Sequence, residues 1–179
     1  NPKAKDALPR IRQLIFEGKN KEAQELCGPT ICSPSANGMP YQTVGSLHLD
    51  FDGINNYNDY YRDLDIAKAI ATTRFTANVV TYTRGAYTSF PDQVLVFRLT
   101  ASQKKSISFT AKYTTPYKSN VVRSISSRKE LQLSGKANDH EGIEGKVEFT
   151  ALTRIENSGG RLGATSDSTL QVKNANSVT

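Results

Sequence analysis

The sequence predicts an all-β fold: an antiparallel β-sandwich of the supersandwich kind, with a short helical hairpin at its N-terminus. Three observations carry this. Apolar and polar residues alternate through most of the chain after Tyr41, the period of half-buried strands. Turn residues separate those stretches at Pro91-Asp92, Pro116, Asn138-Asp139 and Ser158-Gly159-Gly160. Helical spacing is confined to residues 1–28. Many short strands divided in this way favour two packed antiparallel sheets.

Taken in order, Ile11, Leu14 and Ile15 share one helical face, and Gly18 is a stop signal. Pro9 is expected in the first turn, where its missing N–H costs nothing. A second helix is expected from Lys21 to Leu26, and the Gly, Pro, Ser and Asn-rich stretch from Cys27 to Tyr41 reads as a loop. Leu47, Leu49 and Phe51 then alternate with Ser46, His48 and Asp50, giving one apolar and one polar face. Phe75, Ala77 and Val79 are expected on one face of a single run, with Val80 and Tyr82 on the other. Gln93 to Thr100 is nearly continuous in Val, Leu and Phe, the pattern of a strand covered on both sides. Alternation returns at Ile107, Phe109, Ala111 and Tyr113, at Leu131 and Leu133, at Val147, Phe149, Ala151 and Ile155, and at Leu170 and Val172.

The segment Tyr57 to Ile70 breaks this pattern. Arg62, Asp63 and Asp65 read as a charged bend, followed by one helical turn through Ile66-Ala67-Lys68-Ala69-Ile70. The run Ser158-Gly159-Gly160-Arg161-Leu162-Gly163 lacks the following helix and the Lys-Ser/Thr signature of a phosphate loop, so it reads as a hairpin turn. No linker divides the chain. A single domain over 1–179 is expected, with the helical hairpin over 1–28 and sandwich strands over 41–175.

Bulk properties narrow the function. The net charge is +6, but the positive charges are scattered. Lys104-Lys105 and Arg128-Lys129 are the adjacent basic pairs, and Glu130 follows the second at once. Nucleic-acid binding needs a clustered basic face and is not predicted. Nor is a membrane span, since no apolar run is long enough. The chain opens on Asn1 rather than Met, so an excised or processed piece is expected, any export signal having been lost. Cys27 and Cys32 fit either a local disulfide or a pair of free thiols. His48 and His140 do not lie at zinc-finger spacing, and neither metal nor cofactor is expected.

Sugar cleavage by a carboxylate pair needs two acids about 5 to 9.5 Å apart. Acids are densest at Asp50, Asp52, Asp59, Asp63 and Asp65. Asp50 and Asp52 fall on one face of an extended strand, where a polar outer face is the simpler reading. Asp63 and Asp65 flank Leu64 beside Arg62 and read as ion-pairing and turn-capping groups, which makes them poor general acids. His48 lacks a nucleophile partner, and His140 reads as surface. No catalytic residue is assigned. Tyr57, Tyr60 and Tyr61 form the one aromatic cluster, a candidate platform for stacking sugar rings or a set of core tyrosines.

Several stretches resemble the N-terminal sandwich domain of family 95 glycoside hydrolases, the α-L-fucosidase family. Residues Ala7 to Lys19 resemble its early helix, and Tyr41 to Leu49 the strand that follows. Tyr61-Arg62-Asp63-Leu64-Asp65-Ile66 is similar to its most recognisable motif, and Arg84 with Ser89 to the next. Leu131 to Ala175 is similar in strand order. Gly85 departs from the acidic residue usual after that arginine. The resemblance implies Arg62, Asp63, Asp65 and Arg84 as structural anchors, and a periplasmic or secreted parent enzyme. That parent would hydrolyse α-L-fucosyl or α-L-galactosyl bonds with inversion. Its chemistry would lie in a separate helical barrel of the same chain, acting on fucosylated glycans, with this domain as non-catalytic support. The family's sandwich extends past both ends of this sequence, so open sheet edges are expected. The alternatives are a carbohydrate-binding module using Tyr57, Tyr60 and Tyr61, and a structural surface sandwich.

Overall fold

The computed structural model describes residues 1–33, 41–125, 127 and 129–179. Arg128 of the second basic pair and residues 34–40 of the predicted loop lie outside the described residues. The elements run α1 (Ala4–Phe16), α2 (Asn20–Ile31), β1 (Ser46–Phe51), β2 (Asn58–Asp65), β3 (Ile70–Ala77), β4 (Val80–Ser89), β5 (Val94–Ala101), β6 (Ile107–Thr114), β7 (Val121–Ile125), β8 (Glu130–Lys136), β9 (Glu148–Arg154), β10 (Asn157–Ser158), β11 (Arg161–Ser166), β12 (Thr169–Ala175) and β13 (Ser177–Val178). They fall into two compact units, Asn1–Gln42 with Ala137–Lys146, and Thr43–Lys136 with Val147–Thr179.

In the first unit Ile11 and Leu14 of α1 pack with Ala23 of α2, while Ile15 is half exposed rather than buried. Gly18 ends α1 in the left-handed conformation at φ 75°, and the Lys19 N–H donates to the Leu14 carbonyl at 2.8 Å. Helix α1 starts at Ala4, so Pro9 lies in its second turn, not its first. Both Lys5 and Pro9 are exposed, and water can satisfy the carbonyl that Pro9 leaves free. Helix α2 outruns the expected Lys21–Leu26 and continues through Gly28 and Pro29. Its end is closed by Asn1, whose side-chain amide donates to the Pro29 carbonyl at 3.0 Å and the Cys32 carbonyl at 2.8 Å. A cap from a residue this distant in sequence overrides the local helix-breaking signal. Cys27 and Cys32 are both free thiols.

The second unit is an antiparallel β-sandwich. A four-stranded sheet, β1-β6-β12-β11, shares its core with a six-stranded sheet, β10-β13-β5-β4-β3-β2. A third sheet, β7-β8-β9, adds Leu131 to that core. Ile107, Phe109, Leu131, Leu133, Leu170 and Val172 are the largest fully buried side chains among the described residues, and all sit at positions the alternation singled out. Phe109 packs on Phe51 with ring centroids 5.2 Å apart, and Phe75 stacks on Tyr82 at 5.3 Å.

Four expectations are corrected here. The run through Val79 is a hairpin and not one strand. Asn78 and Val79 both have positive φ, 48° and 59°, and pair Ala77 with Val80 and Phe75 with Tyr82. That turn puts Phe75, Ala77, Val80 and Tyr82 on one buried face and leaves Val79 87% exposed. A β-branched residue is strained in this region. Val79→Gly should therefore stabilise the chain by roughly 1 kcal/mol, read as a higher urea midpoint with unchanged slope.

Next, Tyr57 to Ile70 is not a bend. β2 is an edge strand paired with β3 from Asn58 to Asp65, and residues 66–69 form a turn rather than a helical one. An edge strand tolerates Arg62, Asp63 and Asp65 because charge there discourages pairing with another chain. β5 is not covered on both sides either: Val94, Leu95 and Phe97 are exposed. Finally, Ser158–Gly163 is not a hairpin. β10 pairs with β13 in one sheet and β11 with β12 in the other, so Gly159-Gly160 carries the chain across the sandwich. A Cβ at Gly160 would lie 2.2 Å from the Lys173 carbonyl oxygen, which leaves room for glycine alone.

Candidate functional site

The predicted site residues gather on β2 and its neighbours. Successive strand residues point to opposite faces, so Tyr60 and Tyr61 cannot share one. Tyr61 pairs with Arg74 across the strands, and the Arg74 guanidinium lies over its ring at 5.8 Å. Tyr57 instead meets Tyr60 at 5.7 Å and the edge of Phe75 at 5.9 Å. A register shift between Asn58 and Tyr61 marks the irregularity that sets these faces, with Asp59 at φ 51°. The aromatic cluster of the sequence is thus a pair, Tyr57 with Tyr60, and a separate Tyr61. All three rings are more than half exposed.

Arg84 shares a neighbour with Tyr57, the ring of Phe75. Its guanidinium stacks over Phe51 at 4.2 Å and over Phe75 at 4.9 Å. Burial lowers its proton affinity, with Tyr60 acting in the opposite sense. A guanidinium stays charged through such a shift. Its partners among the described residues are rings, not carboxylates. In this way one cation joins β1, β3 and β4 by its flat faces.

The acids take other positions. Asp65 accepts the Lys68 backbone N–H at 3.0 Å and pairs with the Lys68 ammonium at 3.2 Å, closing the turn between β2 and β3. The backbone bond from Lys68, then its side chain, holds the Asp65 carboxyl below its ordinary range. Arg62 and Asp63 pair through their backbones with Thr73 and Thr72, and no ion pair involves either among the described residues. Asp50 meets Lys112 at 2.6 Å across β1 and β6, a bond that lowers its proton affinity. Asp52 lies beyond the end of β1, so it does not extend a strand face with Asp50. His48 bonds Thr114 Oγ1 at 2.8 Å, and His140 lies 3.8 Å from Glu141.

Sequence reasoning missed the buried ion pair. Glu130 is 2% exposed, and its Oε1 accepts from Arg154 Nε at 3.0 Å and Nη2 at 2.6 Å. In the sequence it stands only as the acid that follows a basic pair. Only the pairing of β8 with β9 brings Arg154 opposite. Among the described residues, no group of three His, Cys, Asp or Glu could hold a metal ion. No described helix is long and apolar enough to cross a membrane.

Likeness to known proteins supports an N-terminal sandwich domain of a fucosidase-like glycoside hydrolase. Residues 1–179 match the family described as "Glycosyl hydrolase family 65, N-terminal domain", and the chain belongs to that family. It is 33% identical over 119 residues to "Alpha-L-fucosidase 2" of Arabidopsis thaliana, a match covering 63% of this chain and 13% of that protein. It is 30% identical over 96 residues to "Probable alpha-fucosidase A" of Aspergillus niger, covering 54% of this chain and 12% of that protein. The protein of the same name from Aspergillus oryzae is 32% identical over 102 residues, 57% of this chain and 13% of its own length. The matched stretch therefore spans only a small part of each relative.

Proposed function

We propose that this chain is the non-catalytic N-terminal domain of an α-L-fucosidase-like glycoside hydrolase of family 95, supporting a catalytic helical barrel in the same polypeptide. The whole-length match to a family described as an N-terminal domain carries this reading, and the names of the relatives support the substrate class. The parent enzyme hydrolyses α-L-fucosyl or α-L-galactosyl bonds with inversion, on fucosylated glycans, in the periplasm or outside the cell. Arg62, Asp63, Asp65 and Arg84 serve as structural anchors. The ion pairs of Asp50 and Asp65 support a non-catalytic role, since a carboxyl held low gives up its proton too readily to protonate a leaving group.

The 179-residue chain alone should give no release of phenol from an aryl α-L-fucoside. Turnover that disappears in Asp50→Asn or Asp52→Asn would overturn the reading. The exposed Tyr57–Tyr60 pair favours a second reading, a glycan-binding module. It requires fucoside or glycan affinity that falls when Tyr57, Tyr60 or Tyr61 becomes alanine, and flat calorimetric titrations would remove it.

A further inference from the structure

The sheet β7-β8-β9 has two unlike faces. Leu131 and Leu133 of β8 face inward and are fully buried. The alternate residues face outward, and cross-strand partners share that face. One outward row is Arg123, Gln132 and Leu152, and the next is Val121, Ser134 and Thr150. Val121, Arg123, Gln132 and Ser134 line a hollow of about 220 Å³ over β7 and β8.

The polar groups of this hollow are held in place but not used up. The Gln132 side-chain amide donates to Ser134 Oγ at 2.8 Å, and Ser134 Oγ lies 3.2 Å from Thr150 Oγ1. That chain leaves the Gln132 carbonyl oxygen as an acceptor, across the strands from the guanidinium of Arg123, a donor. β7 is fixed from its other side, where the Ser124 N–H and hydroxyl donate to the Asp167 and Ser166 carbonyls at 2.6 and 2.7 Å. Neighbouring charges are matched: Glu130 holds Arg154, and Lys136 stands opposite Glu148. Among the described residues Arg123 has no carboxylate partner. Val121 and Leu152, 46% and 56% exposed, flank these groups with apolar surface.

We propose that this hollow binds a small carboxylated polyol, the chemistry of a uronic acid residue. Its carboxylate pairs with Arg123, whose fork of N–H donors matches two carboxylate oxygens. Its hydroxyls meet Gln132, Ser134 and Thr150, which offer donors and acceptors side by side, as a polyol does. Its C–H face rests on Val121 and Leu152, the apolar part that such sites combine with a few placed polar groups. A phosphate dianion fits less well, since a single cation answers its charge. The ligand class follows from these groups alone, independently of the enzyme reading and of the Tyr57–Tyr60 pair.

Titration of the 179-residue chain with sodium glucuronate, followed by amide NMR, tests this. Millimolar affinity is expected of one sugar residue in so small a site. Shifts should gather at the backbone amides of residues 121–123 and 132–134 and at the Gln132 side-chain amide. Arg123→Gln should weaken binding about tenfold or more, and glucose, which lacks the carboxylate, should bind the original chain as weakly. Arg123 is exposed, so its substitution should leave the urea midpoint unchanged and the fold intact. Tyr57→Ala should leave glucuronate binding unaltered. Absence of shifts at these amides overturns the proposal, as does binding that survives Arg123→Gln or glucose that binds as tightly as glucuronate. Binding lost in Tyr57→Ala belongs to the aromatic pair and overturns it too. Acetylated glutamate amide binding as tightly as glucuronate would give the hollow to an acidic protein segment, with the same consequence.

Discussion

Phe109→Ala should destabilise the sandwich unit by about 4 kcal/mol, most of the stability of a marginal domain. Phe109 is 1% exposed at the centre of β6, with β1 and β12 on either side. Truncation there loses the transfer energy of the ring and leaves a cavity that two hydrogen-bonded ladders prevent from collapsing. The effect reaches the candidate site. Phe51 packs on Phe109, and Arg84 stacks on Phe51, so the arginine loses part of its footing when the ring beneath is released. Urea unfolding should show a lower midpoint with unchanged slope, and Phe90→Ala provides the control. Phe90 is 86% exposed, and its loss should cost no more than about 0.5 kcal/mol. Equal costs for the two variants would show that Phe109 does not organise the core.

How much of this was legible in the sequence depends on what each strand faces. β1, β6 and β12 were readable because each buries one side, and a one-sided strand writes its period into the sequence. β2 was not, because an edge strand needs charge more than it needs alternation. The β3–β4 hairpin was hidden by Val79, an apolar β-branched residue in a turn that normally takes glycine or asparagine. The glycines at 159 and 160 announced a turn correctly. They carried no information about sheet membership, which is decided by β12 and β13 further along the chain. At the site, the tyrosines were legible as chemistry but not as geometry, since the register shift before Tyr61 separates it from Tyr57 and Tyr60. Glu130 was illegible for a related reason. Its partner is 24 residues away, and only strand pairing brings the two together.

That pair yields the other large effect, and it is asymmetric. The Glu130 side chain is 3% exposed, whereas that of Arg154 is 64% exposed. Removing the charge of Glu130 leaves an arginine that water can solvate, so Glu130→Gln should cost only about 1 kcal/mol. Removing Arg154 leaves a carboxylate in a site that excludes water, with no cation to compensate it. Arg154→Met should therefore be the more damaging change, by roughly twofold or more. Methionine keeps much of the arginine stem, which separates lost charge from lost packing. The double variant should be more stable than Arg154→Met alone, because the orphaned charge is then gone too. The pair lies where β8 and β9 meet, next to the bond from the Ile155 N–H to the Lys129 carbonyl at 2.9 Å. Ile155 enters the core there at 4% exposure, so loosening the pair should also speed hydrogen exchange at Ile155. If Arg154→Met proves no worse than Glu130→Gln, the carboxylate is being solvated in some other way, and the pair does not hold these strand ends together.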